Sequence, residues 1–360
     1  MSDPTQPDSV LPSPEVATGG AGGPAVTAGS AGYRAMRDGS AAATIERDVV
    51  VAEGPDAATF LQGQLSADVL ALAAGASAWS WVLQPGGKVE VLARITRLDA
   101  DRFALDTDPG WGDALTVRLK RFTLRTKVGL SQPAWAVVAL RGPDAQPPAT
   151  GGGIEAVADA SWPGLVGYDL LGPGPTVPVD AVALDPADLE IARIESGIVR
   201  MGAELTERTI PAETGLIDRT VSFTKGCYTG QELVARIDSR GSKVARRLCG
   251  LRLSGPGSGA ASGSASAAAG ITAGAVLRAD GKDAGTITSV AVSPRLGPIA
   301  LAYVRRAIDL GATVEVVAAG GGPDSADTRV GGDGGPGGDG GDPASSIAVT
   351  AVVSPLPLIP

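Results

Sequence analysis

Lys225-Gly226-Cys227-Tyr228-Thr229-Gly230-Gln231-Glu232 is the stretch that decides how this chain is interpreted. Thr229 and Glu232 have the spacing of a capping box ahead of an apolar run, which predicts a helix start at this point. That spacing places Cys227 just outside a helix N-terminus and beside Lys225. Because the helix end and the lysine both carry positive charge, they favour a thiolate over a thiol. The stretch therefore fits a reactive or ligand-facing cysteine, and it also fits a small buried cysteine that precedes a capped helix.

Length and charge set the first limits on function. The 360 residues leave room for two or three domains, and a hydrophobic fraction of 44% is enough for real cores. The formal charge of −9 argues against a general affinity for nucleic acid or anionic membranes, since both require a basic surface. Local basic groups remain at residues 118–125 and 240–247.

The residue types that are missing exclude several kinds of site. The chain has no histidine, so Ser-His-Asp and Cys-His machinery and His-ligated zinc are excluded. Cys227 and Cys249 are the only cysteines, too few for a thiolate cage around a metal or a cluster. We expect no metal site, no disulfide framework and a reduced, cytoplasmic setting. We also expect no signal peptide and no membrane span, since no run of about 18 apolar residues occurs.

Composition divides the chain into three parts. Residues 1–32 are rich in Pro, Gly, Ser and Ala and are predicted to be a disordered tail. Residues 33–245 alternate strand and helix patterns, and residues 246–354 are predicted to form a small β-barrel. Low-complexity insertions interrupt that barrel near 255–270 and 320–345.

The periodicity of apolar residues predicts individual elements. Asp185 and Pro186 have the positions of an N-cap and a first-turn proline for a helix over 187–198. Trp79 and Trp81 alternate on one strand face, which favours core packing over a stacking platform. Strands are predicted at 44–52, 79–83, 89–96, 102–106 and 135–140, helices at 57–68 and 111–122, and barrel strands at 246–253, 275–278, 285–292, 299–304, 313–317 and 347–353.

The stretch from Phe223 to Glu232, with its continuation to Gly241, resembles the signature of the YgfZ family. These are folate-binding proteins related to the T-protein, the aminomethyltransferase of the glycine cleavage system. Residues 60–68 and 193–213 are similar to further family motifs, and residues 293–302 are similar to the family's C-terminal barrel. The resemblance covers about residues 44–317. It implies an α+β fold with T-protein-like folate-binding domains around a central cavity, followed by a β-barrel.

The resemblance also implies a ligand and the residues that hold it. Tetrahydrofolate, or another folate, is expected in the cavity. Glu195 either accepts hydrogen bonds from the pterin or is an exposed helix charge that pairs with a neighbour. Arg236 either points towards the glutamyl tail or forms a helical pair with Glu232. Tyr228 either stacks on the pterin or packs in the core. Glu90 matches one acidic position of the T-protein's catalytic strand.

Val91 replaces the acidic neighbour that the T-protein has beside Glu90, which argues against aminomethyl transfer. Whether the chain is an enzyme stays open. The resemblance implies a folate-binding protein that supports assembly or repair of iron–sulfur clusters and so affects tRNA modification indirectly. Cys227, made nucleophilic by Lys225 and the helix start, would act at the cavity rim, although Lys225 could instead point towards the glutamyl tail. Cys249 would be a core residue. Expected partners are folate and iron–sulfur client or assembly proteins, without direct nucleic-acid or membrane binding.

Two alternatives belong to other functional classes. One is a folate-dependent one-carbon transferase in which Glu90 or Glu195 is the essential carboxylate. The other is an interaction protein without catalysis whose folate site has decayed.

Overall fold

A computed structural model describes residues 29–241, 243–254, 270–318 and 349–359. The predicted insertions, apart from residue 270, and residues 1–28 of the predicted tail lie outside the described residues. In chain order the elements are α1 (Ala31–Asp38), β1 (Ala41–Ile45), β2 (Asp48–Glu53), α2 (Ala57–Gln64), β3 (Ser77–Leu83), β4 (Val89–Arg97), β5 (Arg102–Thr107), α3 (Gly112–Lys120), β6 (Gly129–Ser131), β7 (Ala136–Arg141), β8 (Ala156–Asp159), β9 (Gly167–Gly172), β10 (Val182–Ala183), α4 (Pro186–Ser196), a 3₁₀ turn (Pro211–Glu213), α5 (Ile217–Thr220), α6 (Gln231–Ser239), β11 (Arg246–Ser254), β12 (Val276–Ala279), β13 (Lys282–Ser293), β14 (Gly297–Arg305), β15 (Thr313–Val317) and β16 (Val349–Ser354).

Two five-stranded sheets pack face to face in the first part of the chain. Their strand orders are β10-β1-β7-β9-β8 and β3-β4-β5-β2-β6. Successive side chains of a strand point to opposite faces. Val49 and Val51 of β2 accordingly pack between the sheets with Val137 of β7. The intervening Val50 packs on the other face, in the core that α2 and α3 cover.

The C-terminal part closes into a six-stranded barrel in the order β11-β14-β13-β12-β15-β16. Ala300 and Ala302 of β14 face its interior, where Cys249 is also buried. Leu301 and Tyr303 of the same strand face outwards and belong to a core shared with the sheets and α4. Burial on both faces joins the barrel firmly to the first part. The predicted α+β fold class with a C-terminal barrel is confirmed.

Several predicted boundaries need correction. The single strand expected over 44–52 is two strands, because the chain turns at Glu46 and Arg47 between β1 and β2. The helix expected over 57–68 ends at Gln64. The predicted tail extends too far, since α1 begins at Ala31 with the Ser30 hydroxyl accepting a hydrogen bond from a first-turn amide. The predicted cap of α4 is confirmed, as the Asp185 side chain accepts from the Ala187 amide.

Candidate functional site

The signature stretch is a loop that packs against the turn between β3 and β4. The predicted capping box is wrong, because α6 begins at Gln231 and its N-cap is Gly230, at φ +82°, without a side-chain cap. A Cβ on Gly230 would lie 2.6 Å from the carbonyl oxygen of Gln84. A Cβ on Gly87 would lie 2.4 Å from Cβ of Leu233. Both glycines are therefore needed for the close approach of α6 to this turn.

Lys225 anchors the same loop to the end of α2. Its Nζ donates to the carbonyl oxygens of Gln62, Leu65 and Ala67 at 2.5, 2.5 and 2.9 Å. Burial lowers the pKa of Lys225 to about 8, and the nearby Asp68 opposes this change. An ammonium group has three protons, and all three are engaged by carbonyls. A hydrogen bond from Lys225 to the Cys227 sulfur would therefore require the release of one of these contacts.

Cys227 and Tyr228 have opposite environments although they are neighbours. The Cys227 thiol is free and exposed, which leaves it accessible to another molecule. Tyr228 is buried in the core shared with the barrel, and burial raises its pKa to about 12. The structure thus favours core packing for Tyr228. Cys249 is free and buried in the barrel interior, where burial raises the pKa of its thiol.

Glu195, the predicted pterin contact, is completely buried and already paired. Its carboxylate accepts a hydrogen bond from the Tyr33 hydroxyl at 2.7 Å and another from the Ser293 hydroxyl. It also forms an ion pair with Arg37, whose side chain is 4% exposed. The main-chain oxygen of Glu195 accepts from the amide of Leu358 at 2.7 Å. Glu195 therefore joins α1, α4, the barrel and the C-terminal segment.

The remaining predicted site residues are also apart from one another. Arg236 is exposed on α6, and no ion pair with Glu232 occurs within the part of the chain that the structure describes. Glu90 pairs with Nε of Arg118 at 2.9 Å. Burial raises the pKa of Glu90, while the charges of Arg118 and Arg121 oppose that change. The Glu90 side chain is thus held in place by the Arg118 guanidinium.

A cavity of about 530 Å³ lies where the two sheets meet α4. This volume falls within the roughly 300–1,000 Å³ of small-molecule sites. The first sheet, the second sheet, the loop after β5 and α4 all contribute to the wall. The lining residues are Thr44, Ile45, Glu46, Arg47, Trp79, Leu92, Asp108, Pro109, Arg141, Ala160, Trp162, Leu165, Asp169, Pro186, Leu189, Glu190, Arg193, Ile198, Val199 and Arg200.

Two indoles form part of the cavity wall, and three guanidinium groups pack against their rings. The ring centroids of Trp79 and Trp162 are 5.6 Å apart, tilted by 56°. Arg219 covers Trp162 at 4.2 Å, while Arg47 and Arg94 lie 5.7 and 5.4 Å from Trp79. The indole N–H of Trp79 is buried and has no hydrogen-bond partner within the described residues. A ligand acceptor would satisfy this donor.

Two carboxylates face the cavity with part of their accepting capacity unused. Glu190 accepts from Arg193 at 2.8 and 2.9 Å and from Arg200 at 3.0 Å, and its side chain is 31% exposed. The two charged side chains and hydrogen bonds from both arginines lower the pKa of Glu190 against the opposing effect of burial. Asp108 accepts from Arg47 at 2.9 Å and from the Met201 amide at 2.8 Å. Each carboxylate can accept further hydrogen bonds from a ligand.

A buried ion-pair network supports this wall from behind. Arg94, which is 0% exposed, pairs with Asp106 at 2.9 Å and with Asp169 at 2.7 Å. Arg47 also pairs with Asp106, and Arg141 pairs with Asp169 at 2.8 Å. Although burial opposes the change, the neighbouring arginines lower the pKa of Asp169 to about 2. The network links the two sheets and fixes the positions of Arg47 and Arg141 at the cavity.

None of the six predicted site residues lines this cavity. On α4, Pro186, Leu189, Glu190 and Arg193 lie on the cavity face, and a repeat of 3.6 residues places Glu195 on the opposite face. Glu190 and Asp108 were not predicted from the sequence. Trp79 was predicted to be a core residue, whereas its indole packs against the core and also lines the cavity. The spacing of Leu189, Glu190 and Arg193 was the signal that could have identified the α4 face.

No group of three or more His, Cys, Asp or Glu residues in the described ranges is placed to hold a metal ion. No helix in those ranges is both long enough and apolar enough to cross a membrane.

Comparisons with known proteins agree on one family. Residues 246–326 match the family model of the glycine cleavage T-protein C-terminal barrel domain. A protein of Haemophilus influenzae without an assigned function is 30% identical over 200 residues, covering 54% of this chain and 67% of that protein. The tRNA-modifying protein YgfZ of Edwardsiella ictaluri is 30% identical over 212 residues, covering 52% of this chain and 64% of YgfZ.

Two further comparisons extend this pattern. An iron–sulfur cluster assembly factor IBA57 homolog, mitochondrial, of Pyricularia oryzae is 29% identical over 209 residues. The match covers 54% of this chain and 53% of the homolog, so the chain spans about half the length of this relative. The crystal structure of aminomethyltransferase T from Bartonella henselae superposes with a TM-score of 0.67. It covers 91% of this chain and 88% of that one at 20% identity, which supports the fold alone.

Proposed function

The chain belongs to the family of YgfZ- and IBA57-type proteins related to the glycine cleavage T-protein, and on that premise we propose that it binds tetrahydrofolate and supports iron–sulfur clusters in client enzymes. The cluster role covers assembly or repair, with an indirect effect on tRNA modification. The observation that carries the folate half is the cavity of about 530 Å³, with the indoles of Trp79 and Trp162 and the carboxylates of Asp108 and Glu190 in its wall. The proposal places the protein in the reducing cytoplasm, in keeping with two free cysteines.

The cavity residues fit the chemistry of a folate. A pterin is a flat ring system with several N–H donors, which suits the faces of Trp79 and Trp162 and the accepting oxygens of Glu190. The orphaned indole N–H of Trp79 suits a ring nitrogen or carbonyl oxygen. Arg200, whose side chain is 45% exposed, would hold an anionic glutamyl tail. When bound, tetrahydrofolate would supply a carrier for one-carbon units.

These assignments replace Glu195 as the proposed pterin contact. Its carboxylate is completely buried and is engaged by Tyr33, Arg37 and Ser293, away from the cavity. The one-carbon transferase alternative loses support in the same way. Glu90 is held by Arg118 and does not line the cavity, so neither carboxylate is free to act on a bound substrate there.

Cys227 carries the cluster half of the proposal. Cysteine thiolates are the usual protein ligands of iron–sulfur clusters, and an exposed thiol can contact a cluster that is passing to a client. The three hydrogen bonds from Lys225 to main-chain carbonyls hold the loop in place, so that Cys227 lies at a defined position. We expect Cys227→Ser to lower the activity of iron–sulfur client enzymes in cells without changing the fold, and full client activity in that variant would remove Cys227 from the proposal.

Calorimetric titration with tetrahydrofolate under anaerobic conditions tests the folate half. Wild type should bind saturably, and Glu190→Gln should weaken binding by about tenfold, since one well-placed hydrogen bond to a charged group is worth roughly 1.5 kcal/mol. Glu155→Gln is the matched control, because Glu155 pairs with Arg102 at 2.6 Å outside this cavity. Equal affinities for all three proteins would show that folate binds outside the cavity lined by Glu190. If wild type does not bind tetrahydrofolate, the proposal of folate binding is wrong.

A further inference from the structure

The end of α3 is a basic stretch on an acidic protein. The sequence from Val117 to Lys127 contains five basic residues, and no acidic residue occurs between Asp113 and Asp144. Lys120, Arg121 and Arg125 are exposed. Within the described residues none of these three forms an ion pair. Their charges are therefore available to another molecule although the formal charge of the chain is −9.

Large apolar side chains are exposed among these charges. Val117 is 50% exposed, Phe122 is 42% exposed and Leu124 is 82% exposed. Single exposed apolar residues are common, but here three lie within eight residues of sequence, interspersed with exposed basic residues. We define the α3 surface as Val117, Lys120, Arg121, Phe122, Leu124 and Arg125.

Arg118 is a fixed, buried residue beneath Phe122 of the α3 surface. Its guanidinium donates to the Gln64 side chain and to the Leu83 carbonyl, both at 3.1 Å, and pairs with Glu90 at 2.9 Å. The same group lies 4.4 Å from the centroid of the Phe122 ring. Because the Phe122 ring already packs against this fixed group, it loses less conformational freedom on binding.

The α3 surface lies beside the loop that carries Cys227. Arg118 contacts Gln64 at the C-terminal end of α2, and the amide of Thr229 donates to the carbonyl of the adjacent Gly63 at 3.2 Å. Lys225 contacts the carbonyls on either side of these residues. In the same loop Phe223 is 50% exposed. A molecule seated on the α3 surface therefore has the Cys227 loop within its reach.

We propose that the α3 surface is the docking site for a protein partner that presents apolar side chains within an acidic surface. Basic rim residues would pair with carboxylates of the partner, while Phe122 and Leu124 would be buried as anchors. Apolar anchors suit a protein partner better than a phosphate backbone, which has no apolar side chains to bury them. The identity of the partner as an iron–sulfur client or assembly protein rests on the proposed function.

Photocrosslinking in the cells that make the protein tests this proposal. The full chain is produced with p-benzoylphenylalanine in place of Leu124, and crosslinked products are identified by mass spectrometry. We expect an adduct with an iron–sulfur protein, joined through an acidic segment of that partner. Arg121→Glu combined with Arg125→Glu should reduce the adduct by tenfold or more. The same photoreactive residue in place of Val179, which is 97% exposed, should not give this adduct.

A matched charge control separates docking from net charge. Arg208→Glu combined with Lys243→Glu makes the same change in charge at exposed positions elsewhere and should leave the adduct unchanged. The proposal is overturned if no adduct forms, if the two double charge-reversal variants reduce the adduct equally, or if the adduct contains nucleic acid or lipid. Folate titration of each variant keeps the two claims apart. Adduct formation without folate binding would contradict the folate site alone, and folate binding without an adduct would contradict docking alone.

Discussion

Replacing Glu195 with glutamine distinguishes a structural role for this residue from a ligand-binding one. Its buried carboxylate pairs with Arg37 and accepts hydrogen bonds from Tyr33 and Ser293. Removing one partner of a buried ion pair costs about 3–5 kcal/mol, because the other charge stays buried without compensation. Since whole domains are stable by only about 5–15 kcal/mol, Glu195→Gln should lose a large part of the folding free energy.

Urea denaturation of Glu195→Gln, Arg37→Met and the double variant measures this effect. We expect the double variant to be more stable than the sum of the two single losses predicts, with a coupling energy of about 2–3 kcal/mol. The folded fraction of Glu195→Gln should still bind tetrahydrofolate. The reasoning is refuted if Glu195→Gln unfolds like wild type but no longer binds the folate, because Glu195 would then face the ligand.

Three further predictions concern the network and the signature loop. Asp169→Asn should cost at least about 2 kcal/mol at pH 7, because the fall of its pKa from 3.8 to about 2 stabilises the fold above pH 3.8. The difference in free energy of unfolding between wild type and Asp169→Asn should vanish as the pH falls through 2. A difference that does not change with pH would contradict this prediction. Gly230→Ala should cost about 1–3 kcal/mol in thermal unfolding, since its φ is +82° and its Cβ would meet the Gln84 oxygen at 2.6 Å. The pKa of Lys225 is lowered from 10.5 to about 8, so between pH 8 and 10 the unfolded chain binds a proton that the folded chain has lost. As the pH rises over that range, the free energy of unfolding of wild type should increase by about 1 kcal/mol relative to that of Lys225→Met. If the free energies of unfolding of the two proteins changed with pH in parallel, the pKa of Lys225 would not be lowered in the folded state.

The strands were predictable where burial follows a local pattern. The barrel strands alternate or run apolar between turns, and their order along the chain matched the predicted segments. The division between β1 and β2 was not predicted, because Arg47 at the turn is fixed by Asp106 and Asp108, which lie far along the chain. The helix α1 was also missed, since its burial depends on Tyr33 and Glu195 meeting across the fold.

The candidate site was harder to predict than the fold. The signature loop stood out because its residues are consecutive, yet Lys225 and Tyr228 are engaged in anchoring and packing. The cavity is assembled from both sheets and α4, so Trp79, Asp108 and Glu190 become neighbours only through tertiary packing. The resemblance singled out Glu195 on α4, and it is the opposite face of this helix that lines the cavity.

Hydrogen–deuterium exchange with and without tetrahydrofolate tests most directly whether the cavity is the ligand site. The account predicts added protection at residues 44–47 and 186–200, which line the cavity, and unchanged exchange at residues 222–240. Protection confined to residues 222–240 would contradict it, because the ligand would then be bound by the signature loop and not between the sheets.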